Sequence, residues 1–294
     1  MIFKRKIYSK FLAWKEESQG QKALLVEGAR RIGKSTVVEE FAKNEYKSYI
    51  LIDFVRTPDA VKEYFYLHLN DLDTFYMLLS VHYGVQLYER ESIIIFDEVQ
   101  LFPKAREAIK YLVADGRYDF METGSLISIK ENVKDIVIPS EERHIKMYPM
   151  DFEEFCIANS ITTNTLDYLK QCFESTTKVT ASIHQTMSDL FRYYIVVGGM
   201  PEVVKIFVDT HDIGLVIEKQ KDILAQYRQD ITKYTLDNKV KVTNIFEQIP
   251  AQLDEKNRRF KLSSISKTAR LRDYDNAFIW LAMLWRLSCR RCFP

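Results

Sequence analysis

Gly28-Ala29-Arg30-Arg31-Ile32-Gly33-Lys34-Ser35 spells G-x-x-x-x-G-K-[ST] between two differently patterned apolar runs. Such a segment commits the chain to a strand, a tight loop and a helix in succession. Upstream, Ala23-Leu24-Leu25-Val26-Glu27 is short and apolar and ends at a glycine, the pattern of a buried parallel strand. Downstream, Ser35 to Ala42 reads as an amphipathic helix with Val37, Val38, Phe41 and Ala42 on one side. The glycines let backbone N–H groups close around an anion, and the helix N-terminus adds partial positive charge. In a loop of this kind the lysine reaches the β/γ-phosphate oxygens and the hydroxyl residue ligates Mg²⁺. The nucleotide-binding set is therefore Gly28, Ala29, Arg30, Arg31, Ile32, Gly33, Lys34 and Ser35, with Thr36 beside them.

A second motif is required if the loop handles a nucleoside triphosphate and its Mg²⁺. Ser92-Ile93-Ile94-Ile95-Phe96-Asp97-Glu98 supplies it, an apolar strand that closes on two carboxylates. Asp97 is placed to hold Mg²⁺ together with Ser35, because Mg²⁺ takes oxygen ligands and keeps several waters. Glu98 is placed to accept a proton from the attacking water or to hold that water in line. Lys34, Glu98 and Thr123 make up the expected catalytic group.

The first half alternates strand and helix patterns. Ser48 to Phe54 reads as a strand, Pro58 to Tyr83 as one long helical region, and Pro103 opens a helix carrying Ala105, Ile109, Leu112 and Val113. Tyr118 to Thr123 is a further strand that ends at Thr123-Gly124-Ser125. This alternation predicts an α/β fold with a parallel sheet and ligands at the carboxyl ends of its strands. Thr123 and Ser125 then either sense the γ-phosphate and position the water, or stabilise a turn through their hydroxyls.

Length and composition exclude several classes. At 294 residues, 47% hydrophobic and 28% charged, the chain has core enough for about two unassisted domains. Four cysteines make no disulfide framework at this size, and Cys289-Arg290-Arg291-Cys292 lacks the two further ligands a zinc site needs. Ala277 to Trp285 is too short an apolar stretch for a bilayer, and charges interrupt the N-terminus, so neither a membrane span nor a signal peptide is expected. The expected location is cytoplasmic.

From about Asp151 the pattern turns helical, with breaks at 159–165 and 175–180 and a tight bend at Gly198-Gly199-Met200-Pro201. Lys256, Arg258, Arg259, Lys261, Lys267, Arg270 and Arg272 form a basic run without an acidic residue, between helix patterns at 244–253 and 273–286. The run suits a basic helix–turn–helix or winged-helix element on DNA phosphates; a solvated face or a contact with an acidic surface is the slightly favoured alternative.

Across nearly its whole length the chain resembles a group of prokaryotic AAA-like ATPases that join an N-terminal AAA domain to a C-terminal domain of unknown function. The residues that carry the resemblance are the double-arginine loop 28–35, Phe96-Asp97-Glu98-Val99-Gln100 and Thr123-Gly124-Ser125. Tyr148 to Phe155, Gly198-Gly199-Met200-Pro201-Glu202 and Tyr227-Arg228-Gln229-Asp230-Ile231 extend it. The resemblance implies a P-loop (ASCE-type) ATPase core at 1–150, a helical domain at 151–240 and a partial winged-helix-like segment at 241–294. It also implies ATP and Mg²⁺ as cofactors. Hydrolysis by such a site calls for a transition-state arginine from the chain or a neighbour, for which Arg30, Arg31, Arg143 and Arg228 are candidates. DNA through 256–272, a second copy of the chain or another protein are the expected partners. Members of the group continue beyond the point reached by Leu287 to Pro294, so the expectation is a C-terminally truncated chain with an apolar face on Phe278, Ile279, Trp280, Leu281, Met283, Leu284 and Trp285.

Overall fold

Parallel strands cannot be joined by tight turns, so each short apolar strand needs a crossover, and helices supply it. A computed structural model describes residues 2–125, 140–234, 239–254, 260–265, 270–275, 277, 278 and 281. It divides into two units, Met1–Ile213 and Gly214–Pro294. The first begins with α1 (Ile7–Ser18), β1 (Ala23–Gly28), α2 (Lys34–Glu45), β2 (Ser48–Asp53), α3 (Asp59–Leu67) and α4 (Leu72–Tyr83). Next come β3 (Ser92–Asp97), α5 (Pro103–Asp115), β4 (Asp119–Ser125) and β5 (Glu142–Lys146). The five strands pair in parallel in the order β2-β3-β4-β1-β5. β4 therefore lies between β1 and β3, with Val26 opposite Thr123 and Phe96 opposite Glu122.

Alternation along the strands sorts the core into two layers. Leu25, Ile94, Phe96 and Phe120 face α3, α4 and α5, where Phe65, Phe75 and Leu112 are fully buried. Leu24, Val26, Ile95 and Met121 face α1 and α2 through Phe11, Trp14 and Phe41. Each such side chain contributes about 1.5–3 kcal/mol on burial, so the sheet is a rigid platform for whatever its strand ends carry. The α/β core with a helical region after it is the fold expected from the sequence.

The elements differ from the sequence reading in three places. The single helical region at 58–83 is two helices, because the Asp71 side chain accepts from Thr74 N (3.2 Å) and caps a new start. β5, Glu142-Arg143-His144-Ile145-Lys146, was not visible as a strand because its charges leave no apolar run. α1 was also missed, although Ile7, Phe11 and Trp14 bury one of its faces.

After β5 the first unit continues with α6 (Phe152–Ala158), α7 (Thr163–Glu174), α8 (Ala181–Val197) and α9 (Pro201–Thr210). A reciprocal capping box starts α6, with Glu154 N donating to Asp151 Oδ1 (2.9 Å) and Asp151 N to Glu154 Oε2 (3.1 Å). The bend between α8 and α9 is a close backbone approach. Met150 N donates to Gly199 O (2.7 Å), and a Cβ on Gly199 would sit 2.0 Å from Met150 O. Tyr194 OH donates to the same Met150 carbonyl (2.9 Å).

The second unit holds the rest of α10 (Ile213–Tyr234), α11 (Lys239–Asp254) and 3-10 turns at Leu262–Ser264 and Leu271–Asp273. The expected winged-helix-like segment is described only in part: α11 and the two turns are present, with no strand among the described residues of 241–281. Of the apolar face expected at the C-terminal end, Leu281 is buried and Phe278 half-buried, while Ile279, Trp280, Met283, Leu284 and Trp285 lie outside the described residues. Among the described residues no helix is long and apolar enough to cross a membrane.

The Gly199 contact is with backbone, which cannot swing aside. Gly199→Ala is expected to destabilise the protein by about 1–3 kcal/mol through overpacking. Thermal or urea unfolding followed by circular dichroism checks this, and an unchanged midpoint would contradict it.

Candidate functional site

Two conformational demands shape the loop between β1 and α2. Gly28 must lack a Cβ, which would lie 2.5 Å from Met147 O as the chain leaves β5 alongside. Gly33 takes φ +87° as the N-cap of α2, and Arg31 takes φ +65° two residues earlier. Left-handed residues placed this way curl the backbone so that successive N–H groups turn toward one concavity. The first turn of α2 adds its free N–H groups to the same place.

Lys34 is 4% exposed, and its Nζ donates across the loop to Gly28 O (3.2 Å) and Ala29 O (2.8 Å). Burial lowers its pKa from the ordinary lysine value; the Glu98 and Asp97 charges oppose that shift, and Arg30 adds to it. Ser35, in the first turn of α2, donates from Oγ to Asp97 Oδ1 (2.8 Å). Thr123 at the end of β4 donates its hydroxyl to the same carboxylate oxygen. Thr123 is itself fully buried, and its Oγ1 accepts from Glu98 N (3.3 Å). Ser35, Asp97, Thr123 and Lys34 thus meet at the carboxyl ends of β1, β4 and β3.

Glu98 comes directly after β3 in a left-handed conformation (φ +53°), and its carboxylate accepts from the Gln100 side-chain amide. That conformation costs about 1–3 kcal/mol in a non-glycine residue and turns the side chain off the strand axis. Thr36 is exposed and Ile32 is buried under the loop. The side chain of Ser125 lies outside the described residues. Ser35 and Asp97 offer a hydroxyl and a carboxylate, the hard oxygen donors that suit Mg²⁺. Among the described residues no group of three or more His, Cys, Asp or Glu is placed to hold a metal, and the C-x-x-C at 289–292 lies outside them.

The candidate arginines have different surroundings. Arg30 is half-buried and close enough to Lys34 to act on its charge. Arg31 is exposed and lies 3.4 Å from Glu202 of α9. Arg143 pairs with Glu17 (2.5 Å) and stands opposite Leu24, well back from the loop along the sheet. Arg228, in the second unit, pairs with Glu247 (2.7 Å). Of the basic run, Lys261, Arg270 and Arg272 are exposed; Lys256, Arg258, Arg259 and Lys267 lie outside the described residues. A cavity of about 610 Å³ flanks α2, lined by Phe3, Tyr8, Leu12, Val37, Asn44 and Ile157 among others.

Two family models match parts of the chain. A model of an AAA domain matches residues 20–156, and one of a domain of unknown function (DUF8612) matches residues 188–292. Similar solved structures include the replication initiator DnaA bound to AMPPCP and single-stranded DNA, at 12% identity over 97% of this chain and 85% of that chain, with TM-score 0.42. AMPPCP-bound DnaA from Aquifex aeolicus is 9% identical over 99% of this chain and 91% of that chain, with TM-score 0.41. PCH-2 from C. elegans is 12% identical over 74% of this chain and 68% of that chain, with TM-score 0.38. No curated protein matches the sequence. The AAA-domain match supports nucleotide binding and hydrolysis in general.

Behind the loop, on the α5 side of the sheet, lies a charged network that no sequence motif announced. Arg106 of α5 is 1% exposed and forks onto Glu142, Nε to Oε1 at 3.0 Å and Nη2 to Oε2 at 2.7 Å. His144 bridges Glu142 (Nε2 to Oε2, 3.3 Å) and Glu27 (Nδ1 to Oε1, 3.2 Å). Glu122, fully buried, is driven well above the ordinary carboxyl range by burial first and by the Glu142 charge second. Hydrogen bonds to Glu142 and Glu27 raise His144 from 6.5 to about 9. A folded-state pKa raised above the unfolded value stabilises the protein below the unfolded pKa, and that stability disappears as pH rises through the folded one. The stability advantage of wild type over His144→Gln is therefore expected in full below about pH 6.5 and lost on passing pH 9. Unfolding midpoints of both proteins across that range check it; a difference independent of pH would contradict it.

Proposed function

We propose that this chain, an AAA domain joined to a C-terminal domain of unknown function, binds and hydrolyses ATP with Mg²⁺ and couples turnover to movement of its helical region. The observation that carries the reading is the convergence of the Ser35 and Thr123 hydroxyls on one oxygen of Asp97, beside the lysine of a phosphate-binding loop. Lys34 and the loop N–H groups hold the phosphates. Ser35 and Asp97 hold Mg²⁺, which when bound neutralises charge on the phosphate oxygens. Glu98, steadied by Gln100, orients the attacking water or takes its proton, and Thr123 positions Asp97 and the Glu98 backbone.

A transition-state arginine is worth about 10³–10⁵ in rate. Arg30 is the candidate whose charge acts on the loop lysine, and a neighbouring copy or a partner is the other source. We read residues 1–150 as the ATPase domain, 151–240 as a helical domain and 241–294 as a partial winged-helix-like segment. The rival reading is a nucleotide-gated module that holds DNA or protein with little turnover, and it rests on the basic run at 256–272. ATPase rates with and without DNA, over a range of salt, separate the two.

Two substitutions test the leading reading. Lys34→Ala is expected to remove ATP binding measured by calorimetry. Glu98→Gln is expected to keep binding while turnover falls by about 10²–10⁴-fold. Unchanged turnover in the glutamine variant would take Glu98 out of its role.

A further inference from the structure

Arg5 belongs to none of the motifs above, yet its whole guanidinium is spent on the loop and its surroundings. The residue is 7% exposed. Nη1 donates to Ile32 O (2.8 Å), Nη2 to Tyr148 O (2.6 Å) and Nε to Glu154 Oε1 (3.2 Å). Glu154 also accepts from Lys6 N (2.6 Å) and closes the capping box at the start of α6. One fork therefore joins the phosphate loop, the segment leaving β5 and the first turn of α6.

The Ile32 carbonyl belongs to the same planar peptide as the Gly33 N–H. No peptide bond of the described chain is cis, so in this unit the C=O and the N–H point in opposite directions. A cation fixed on the carbonyl from behind sets the orientation of that plane. It also polarises the N–H on the far side, because hydrogen bonds in series strengthen one another at low dielectric. Gly33 is a position where this matters: it is the N-cap of α2, and the site of a Cβ there would lie only 3.8 Å from Arg5 Nη1.

We propose that Arg5 is a positioning residue for phosphate binding, holding the Ile32–Gly33 peptide so that the Gly33 N–H is presented to an anion. The anion being a phosphate of ATP rests on the function proposed above. Through Glu154 the same side chain makes the set of the loop depend on α6. A purely structural role, neutralising Glu154, needs a positive charge and nothing more. The positioning role needs a fork long and flat enough to reach two carbonyls and a carboxylate at once, which an ammonium does not provide.

The sequence offers a direct probe. Gly33 and Gly214 are the two glycines that come directly after an isoleucine, so labelling with ¹³C′-isoleucine and ¹⁵N-glycine singles out two amides. In the ligand-free protein, Arg5→Lys is expected to shift the Gly33 amide proton upfield while Gly214 stays as an internal reference. Arg5→Gln serves as a second variant without the charge and is expected to do the same. Both are expected to weaken the binding of ATP and of inorganic tripolyphosphate alike, by roughly tenfold. An unmoved Gly33 signal in a folded variant, or tripolyphosphate binding as tight as in wild type, would overturn the proposal. If the wild-type chain binds neither ATP nor tripolyphosphate, the ATPase reading fails, and the ligand-free Gly33 comparison still decides the role of Arg5.

Discussion

One oxygen of Asp97 receives two hydroxyls, from Ser35 at the start of α2 and from Thr123 at the end of β4. Everything around the site serves that meeting. Ser35 and Asp97 stand 62 residues apart in sequence and on elements whose strands, β1 and β3, do not touch. The strand inserted between them, β4, supplies the third member. A parallel sheet makes this possible because it brings all strand ends of one polarity to one edge. Its cost is that the edge collects polar groups next to a core where Ile95, Phe96 and Met121 are fully buried, and each must find a partner.

Two of the left-handed non-glycine residues lie at the same edge. Arg31 and Glu98 are left-handed without being glycines, and Gly33 is left-handed as the cap of a helix. Such residues persist where the surroundings over-determine them. Here the surroundings are β5 and the segment that leads from it into α6. Met147 presses on Gly28, Arg5 ties Ile32 to Tyr148, and Glu154 holds Arg5 while capping α6. The part of the chain after the sheet is thus built into the wall of the loop. A loop so enclosed is held in one shape, and any change in that shape must be felt at the start of α6.

The residues that were legible in the sequence share a property. Gly28, Gly33, Lys34 and Ser35 obey local rules, since a tight loop before a helix needs glycines at fixed offsets. Asp97 and Glu98 close an unbroken apolar strand, a pattern that survives without knowledge of the neighbours. The residues that were missed share the opposite property. Glu142 and His144 sit in a strand too charged to look like one, and they are held in place because Arg106 and Glu27 meet them from other elements. Arg5 looks like one of several N-terminal basic residues until its three acceptors, all distant in sequence, are in place. The break between α3 and α4 was within reach, because Asp71 is a normal helix cap hidden inside a long apolar pattern.

The sequence by itself determined the strand, glycine loop and helix around 28–35, the carboxylate strand and the α/β alternation, because each arises from backbone preferences and periodicity over a few residues. The tertiary structure decided the strand order, the membership of β5, the convergence on Asp97 and the reach of Arg5. Those depend on pairings between segments far apart in the chain, and no local preference encodes which strand will lie beside which. The physical reason is the same in each case. Hydrogen-bonding rules act between neighbours in space, and only the folded sheet makes Ser35, Asp97 and Thr123 neighbours.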